Sequence, residues 1–137
     1  MYERRLSVKE IAVSQFLVII AYLLLGGAFV VFGIRNTKSV PGLAKVLESR
    51  KISQPVNAAR LGVAMQLVGG ALVFIAPFVP LAGVLGGLLL IAFLVLATAL
   101  FHPVWAYQGE ARTPHISPTI MNTGLVGAFL LVIAYGL

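Results

Sequence analysis

Residues 11–34 read IAVSQFLVIIAYLLLGGAFVVFGI, a run with no charged side chain. At about 1.5 Å per residue an α-helix of this length reaches about 36 Å, more than the roughly 30 Å hydrocarbon layer of a bilayer, so the run predicts a membrane-crossing helix with some tilt. It is entered through Ser7-Val8-Lys9-Glu10 and closed by Arg35-Asn36-Thr37-Lys38. The Ser7/Glu10 spacing is that of a capping box, in which hydroxyl and carboxylate satisfy backbone N–H groups that the first turn leaves free. Arg4 and Arg5 upstream raise a competing reading, a cleavable secretory leader. The apolar run exceeds the 7–15 residues usual for such a leader, and no small-residue cleavage site precedes Arg35, so a retained span is expected.

Three further apolar runs follow, the first of them interrupted by Arg60 alone. The second begins at Pro55 or Val56 and ends at Phe78, the third runs from Pro80 to His102-Pro103, and the fourth from Ser117-Pro118 to Leu137. Each starts at or beside a proline, which in a first helical turn forfeits an N–H that has no partner there anyway. The expected spans are therefore about 11–34, 56–78, 80–103 and 118–137, forming one all-α membrane domain, a four-helix bundle. Only Ala76-Pro77-Phe78-Val79-Pro80 separates spans two and three, which makes them a tight antiparallel hairpin. Between spans one and two, residues 41–51 set Val40, Leu43, Val46 and Leu47 on one helical face with Lys45, Glu48, Arg50 and Lys51 mostly opposite. This predicts a short amphipathic helix lying at the membrane surface.

Composition agrees with a lipid solvent. Of 137 residues 60% are apolar and 10% charged, against about 25% charged in a soluble domain, too few to coat a water-facing core. Cysteine is absent, which removes disulfides, thiol redox chemistry and cysteine-held metal or iron–sulfur centres. The net charge of +6 reads as a topology signal and contact with anionic lipids, with no nucleic-acid partner expected. In an antiparallel bundle Arg35, Lys38, Lys45, Arg50, Lys51, Arg60 and Arg112 fall on one side and Arg4, Arg5 and Lys9 on the other. The positive-inside bias then puts the richer side in the cytoplasm and both termini outside. The expected setting is the cell membrane of a prokaryote.

An ionisable group inside a bilayer is costly and so marks function. Here glutamate occurs only at positions 3, 10, 48 and 110, outside the spans, which disfavours proton-coupled drug export through an embedded carboxylate. Arg60, about one turn into the second span, can snorkel to lipid phosphate or meet a substrate. Gln66 lies about 16 Å into that span, near the midplane, where an amide must either tie helices together or meet a ligand. Gly26-Gly27, Gly62, Gly69-Gly70, Gly83, Gly86-Gly87 and Gly124-x-x-Gly127 suit close helix packing. The densest polar and aromatic stretch is Phe101-His102-Pro103-Val104-Trp105-Ala106-Tyr107, at the end of span three. Trp105 and Tyr107 fit an interfacial aromatic belt. With Arg35, Arg60 and Asn122 on the same side, His102 and Trp105 supply donors that suit a quinone or anionic lipid headgroup. No covalently held cofactor is implied. Haem held by His102 and His115 is disfavoured because His115 is expected in the loop Thr113-Pro114-His115, and a metal centre lacks further His, Cys or Asp ligands.

The chain resembles the DoxX family of small four-helix membrane proteins over most of its length. The resemblance is carried by a first helix passing into an amphipathic segment, by Met65-Gln66-Leu67-Val68-Gly69-Gly70, by Ala97-Thr98-Ala99-Leu100-Phe101-His102-Pro103-Val104-Trp105, and by Asn122 with Gly127. Two positions depart from the family pattern: Gln66 stands where a glutamate is common, and Met121 where a lysine often precedes the asparagine. Both replacements remove charge and leave no proton-handling group in the second span. The resemblance implies association with membrane redox enzymes, the related DoxD protein being a subunit of a thiosulfate:quinone oxidoreductase. It makes the chain an accessory subunit without its own catalytic residues. Its partners are then lipids and other membrane subunits, and Arg35, Arg60, Gln66, His102, Trp105 and Asn122 line a quinone or lipid site. A free-standing carrier of lipid or a small hydrophobe is the alternative reading, and an enzyme in its own right the third.

Overall fold

The computed structural model describes residues 7–137; Glu3, Arg4 and Arg5, which entered the leader and charge-bias readings, lie outside them. The described residues form five α-helices: α1 Val8–Thr37, α2 Val40–Ser49, α3 Pro55–Ile75, α4 Pro80–Phe101 and α5 Thr113–Gly136. Helices α1, α3, α4 and α5 are the long apolar ones, and they cross the membrane; α2 is short and does not. The protein is an integral, multi-pass, all-α membrane protein.

The caps follow the sequence. Ser7 N–H donates to Glu10 Oε2 at 2.7 Å and Glu10 N–H to Ser7 Oγ at 3.3 Å, closing the capping box. Helix α3 stops at Ile75, ahead of Phe78, because the chain turns at Ala76–Val79: Ala76 N–H donates to the Val73 carbonyl, and Phe78 and Val79 both donate to that of Ile75. Pro77 and Pro80 have no N–H to satisfy. Helix α5 begins at Thr113 rather than at Ser117-Pro118, because Pro114 provides an earlier first-turn proline. Pro118 consequently sits inside the helix and His115 on its first turn, not in a loop.

Packing runs α1 on α3, α3 on α4 and α4 on α5. Its closest approaches are made by glycine. A Cβ on Gly70 would lie 2.9 Å from the Gly26 carbonyl oxygen, and one on Gly86 would lie 2.8 Å from that of Gly69. Backbone therefore meets backbone across both contacts, which only a residue without a side chain permits. Phe29 closes the bundle by reaching across it, edge-on to Phe129 at 5.2 Å and to Phe93 at 6.4 Å between ring centroids. Phe129, Leu90 and Val73 are fully buried at this centre. Gly124 and Gly127 take no part, since a Cβ on either would meet nothing within 4 Å. The close approach expected of that pair does not occur, as it lies on the outward face of α5.

The helices are staggered, and the stagger places the site. Gly26 lies against Gly70, Gly33 against Leu67, and Asn36 against Gln66. Helix α1 therefore ends partway along α3, and α2 folds back to cover the first turns that α1 leaves bare. Ala44 and Leu47 of α2 are buried with Ala59 of α3, beside Leu100 and Phe101 of α4. The apolar face of α2 thus packs on protein, with Ala44 facing inward and Val46 exposed. At the opposite end no described residue before Tyr22 is buried. The 30 residues of α1 span about 45 Å, close to the thickness of a bilayer with its headgroups.

Candidate functional site

The last turns of α1 and α4, the first turns of α3 and α5, and α2 meet at one end of the bundle. Of the six residues expected to bind ligand, Arg35, Arg60, His102 and Trp105 belong to this end, Gln66 and Asn122 lie deeper in α3 and α5, and the six fall into separate groups. Arg35 lines an open notch of about 520 Å³ at the α1–α2 junction with Lys38, Asn36, Phe32 and Ser39. Gln66 is buried, 6% exposed, and its Oε1 accepts a hydrogen bond from Asn36 Nδ2 at 2.8 Å. Because α1 ends here, this amide pair joins the last turn of α1 to the middle of α3. It ties α1 to α3. Arg60 is exposed on α3, one turn in.

Trp105 and Asn122 do come together. An open groove of about 250 Å³ between α4 and α5 is lined by Leu94, Val95, Thr98, Trp105, Asn122 and Val126. Trp105 hangs at its rim from the 3₁₀ turn Val104–Ala106 that follows the helix-stopping Pro103. It is 67% exposed. At the floor Asn122 Nδ2 donates to Thr98 Oγ1 at 2.9 Å. Neither the Thr98 hydroxyl proton nor the Trp105 indole N–H has a protein acceptor among the described residues, so two neutral donors are free at a groove whose lining also carries Asn122 and Thr123.

His102 belongs to a third group. It caps the C-terminus of α4, its N–H bonded to the Thr98 carbonyl at 2.9 Å. Its Nδ1 lies 3.4 Å from Nδ1 of His115. Tyr107 stacks on the His115 ring with centroids 4.4 Å apart and planes 10° from parallel, and its hydroxyl accepts from Arg50 Nη2 at 2.7 Å. Thr119 Oγ1 lies 3.2 Å from the His102 carbonyl oxygen and 2.8 Å from that of His115, and donates there. Nitrogens at this separation leave no space for a haem plane between them. Tyr107, expected in the aromatic belt, is half-buried in this cluster.

Asn36, Arg50, Tyr107 and His115 are the residues that sequence reasoning did not assign to the site. Tyr107 was marked by the dense aromatic stretch and His115 as the second histidine, but the loop expected at Thr113-Pro114-His115 kept His115 apart from the helix end; Asn36 and Arg50 were not singled out. Arg50 meets Tyr107 across 57 residues and His102 meets His115 across 13, distances that no helical periodicity encodes.

No family model, curated protein or solved structure matches this chain. Its assignment as a small multi-helix integral membrane protein rests on its helices alone, and its site is read from its own chemistry.

Proposed function

We propose that this is a DoxX-like membrane protein acting as a non-catalytic accessory subunit of a membrane redox complex, and that the groove beneath Trp105 holds the head of a quinone or lipid. The groove carries the reading. Its volume is below the roughly 300–1,000 Å³ of sites that enclose a whole small ligand, so it suits a headgroup whose tail remains in the bilayer. Its polar groups, Trp105, Thr98 and Asn122, are uncharged donors of the kind a carbonyl oxygen requires, and the cations stand elsewhere.

The test is purification in mild detergent followed by mass spectrometry of what stays bound. A retained quinone or lipid lost in Trp105→Ala and Asn122→Leu, together with co-migration of a redox-active membrane partner, is the expected result. A wild-type protein that retains nothing, or that retains the same species as both variants, contradicts the groove. A lone monomer or homodimer contradicts the accessory role. The cationic notch at Arg35 and Lys38 favours a second reading, a free-standing lipid-binding protein, in which Arg35→Ala and Lys38→Ala abolish retention while the groove variants do not.

A further inference from the structure

Two imidazoles meet at the end of the bundle with their Nδ1 atoms 3.4 Å apart and their ring planes tilted by 55°. That is long for a hydrogen bond to a nitrogen donor, which usually closes to about 2.7–3.2 Å. Two nitrogens bound to a tetrahedral ion at about 2.0–2.1 Å lie about 3.4 Å from each other. The backbone at both positions is held from outside the pair, and so is the ring of His115. His102 is fixed as the α4 cap between its bond to Thr98 and the following Pro103, and His115 lies against Tyr107, which Arg50 anchors from α2. Thr119 bonds to both histidine carbonyls.

We propose that His102 and His115 are the protein half of a transition-metal site, taking one ion between their Nδ1 atoms and leaving its other positions to water or an oxygen ligand. Among the described residues no third His, Cys, Asp or Glu joins them, so the site is open and exchangeable. Imidazole without carboxylate or thiolate selects Cu²⁺ or Zn²⁺ over Ca²⁺ or Mg²⁺. The inference uses no property of the Trp105 groove and stands or falls separately from it.

The chain has one tryptophan, Trp105, three residues from His102 and therefore within about 11 Å of it along the chain. Cu²⁺ bound at the pair quenches its fluorescence. The experiment titrates Cu²⁺ into detergent-solubilised, full-length protein without a histidine tag. Saturable quenching at one equivalent is expected, reversed by chelator and competed by Zn²⁺. His115→Ala weakens it at least tenfold, and electron paramagnetic resonance of the wild-type complex shows two coordinated nitrogens. The His115 substitution leaves the α4 cap intact, and elution identical to wild type establishes its fold. Coincident titrations of wild type and the His102→Ala/His115→Ala double variant, or a copper spectrum without two coordinated nitrogens, overturn the proposal.

Discussion

Asn36 donates to Gln66 across 2.8 Å, joining the last turn of α1 to the middle of α3. The bond fixes the axial stagger of the two helices, and with it the level at which α2 begins. A partner removed from a half-buried amide pair leaves the other amide unsatisfied, at a cost of about 1–3 kcal/mol. Gln66→Leu is therefore expected to destabilise the bundle. A double-mutant cycle with Asn36→Leu should give a coupling of about 0.6–2 kcal/mol, the range of interhelical hydrogen bonds in membranes. Denaturation in mixed micelles measures it, and strictly additive effects would show that the pair is not formed.

The two glycine classes should separate cleanly. Gly70→Ala drives a methyl group to 2.9 Å from the Gly26 carbonyl oxygen, and overpacking of this kind costs about 1–3 kcal/mol. Gly127→Ala meets open space and should leave stability unchanged or slightly raised, since alanine is the better helix former. Thermal aggregation midpoints of the two variants check this; equal midpoints would refute the α1–α3 contact.

How much of this was legible follows from the range of each signal. The spans were readable because apolar length is a local property: residues 11–34 need nothing else to predict a helix. The Ser7/Glu10 capping box was readable for the same reason. The start of α5 was misplaced because two first-turn prolines, Pro114 and Pro118, compete, and local chemistry does not rank them. The short amphipathic helix α2 stands where the sequence put it, with Val40, Leu43 and Leu47 turned inward, but Val46 is exposed and Ala44 takes its place, because packing on Ala59 set the buried face. Joining Trp105 to Asn122 required only the antiparallel order of the helices. Joining Arg50 to Tyr107 required the stagger of α1 on α3, set by the Asn36–Gln66 bond and by the pairing of Gly26 with Gly70, and sequence marks these residues without pairing them.

Phe29 bridges three helices and is 5% exposed. Phe29→Ala removes its contacts with Phe93 and Phe129, and truncation of a buried phenylalanine costs about 3–5 kcal/mol. The variant is expected to lose monodispersity in detergent at temperatures where wild type keeps it. Unchanged chromatographic behaviour on heating would contradict a closed bundle.

Tyr107→Phe keeps the stack on His115 but removes the acceptor for Arg50 Nη2, whose Nε is already buried without a partner. Loss of a hydrogen bond to a charged group is expected to cost about 1.5–3 kcal/mol and to loosen α2 from α5. Hydrogen exchange of residues 44–50 should rise relative to α4. Equal protection in both proteins would count against the contact.

The absence of native cysteine permits the most direct test of a four-span bundle whose polar groups share one end. Single cysteines at Lys38, Ser53, Gln108 and Phe78 are exposed to a membrane-impermeant thiol reagent in sealed, oriented vesicles. The account predicts that positions 38, 53 and 108 react from one side and position 78 only from the other. Labelling of 38 and 108 from opposite sides contradicts it.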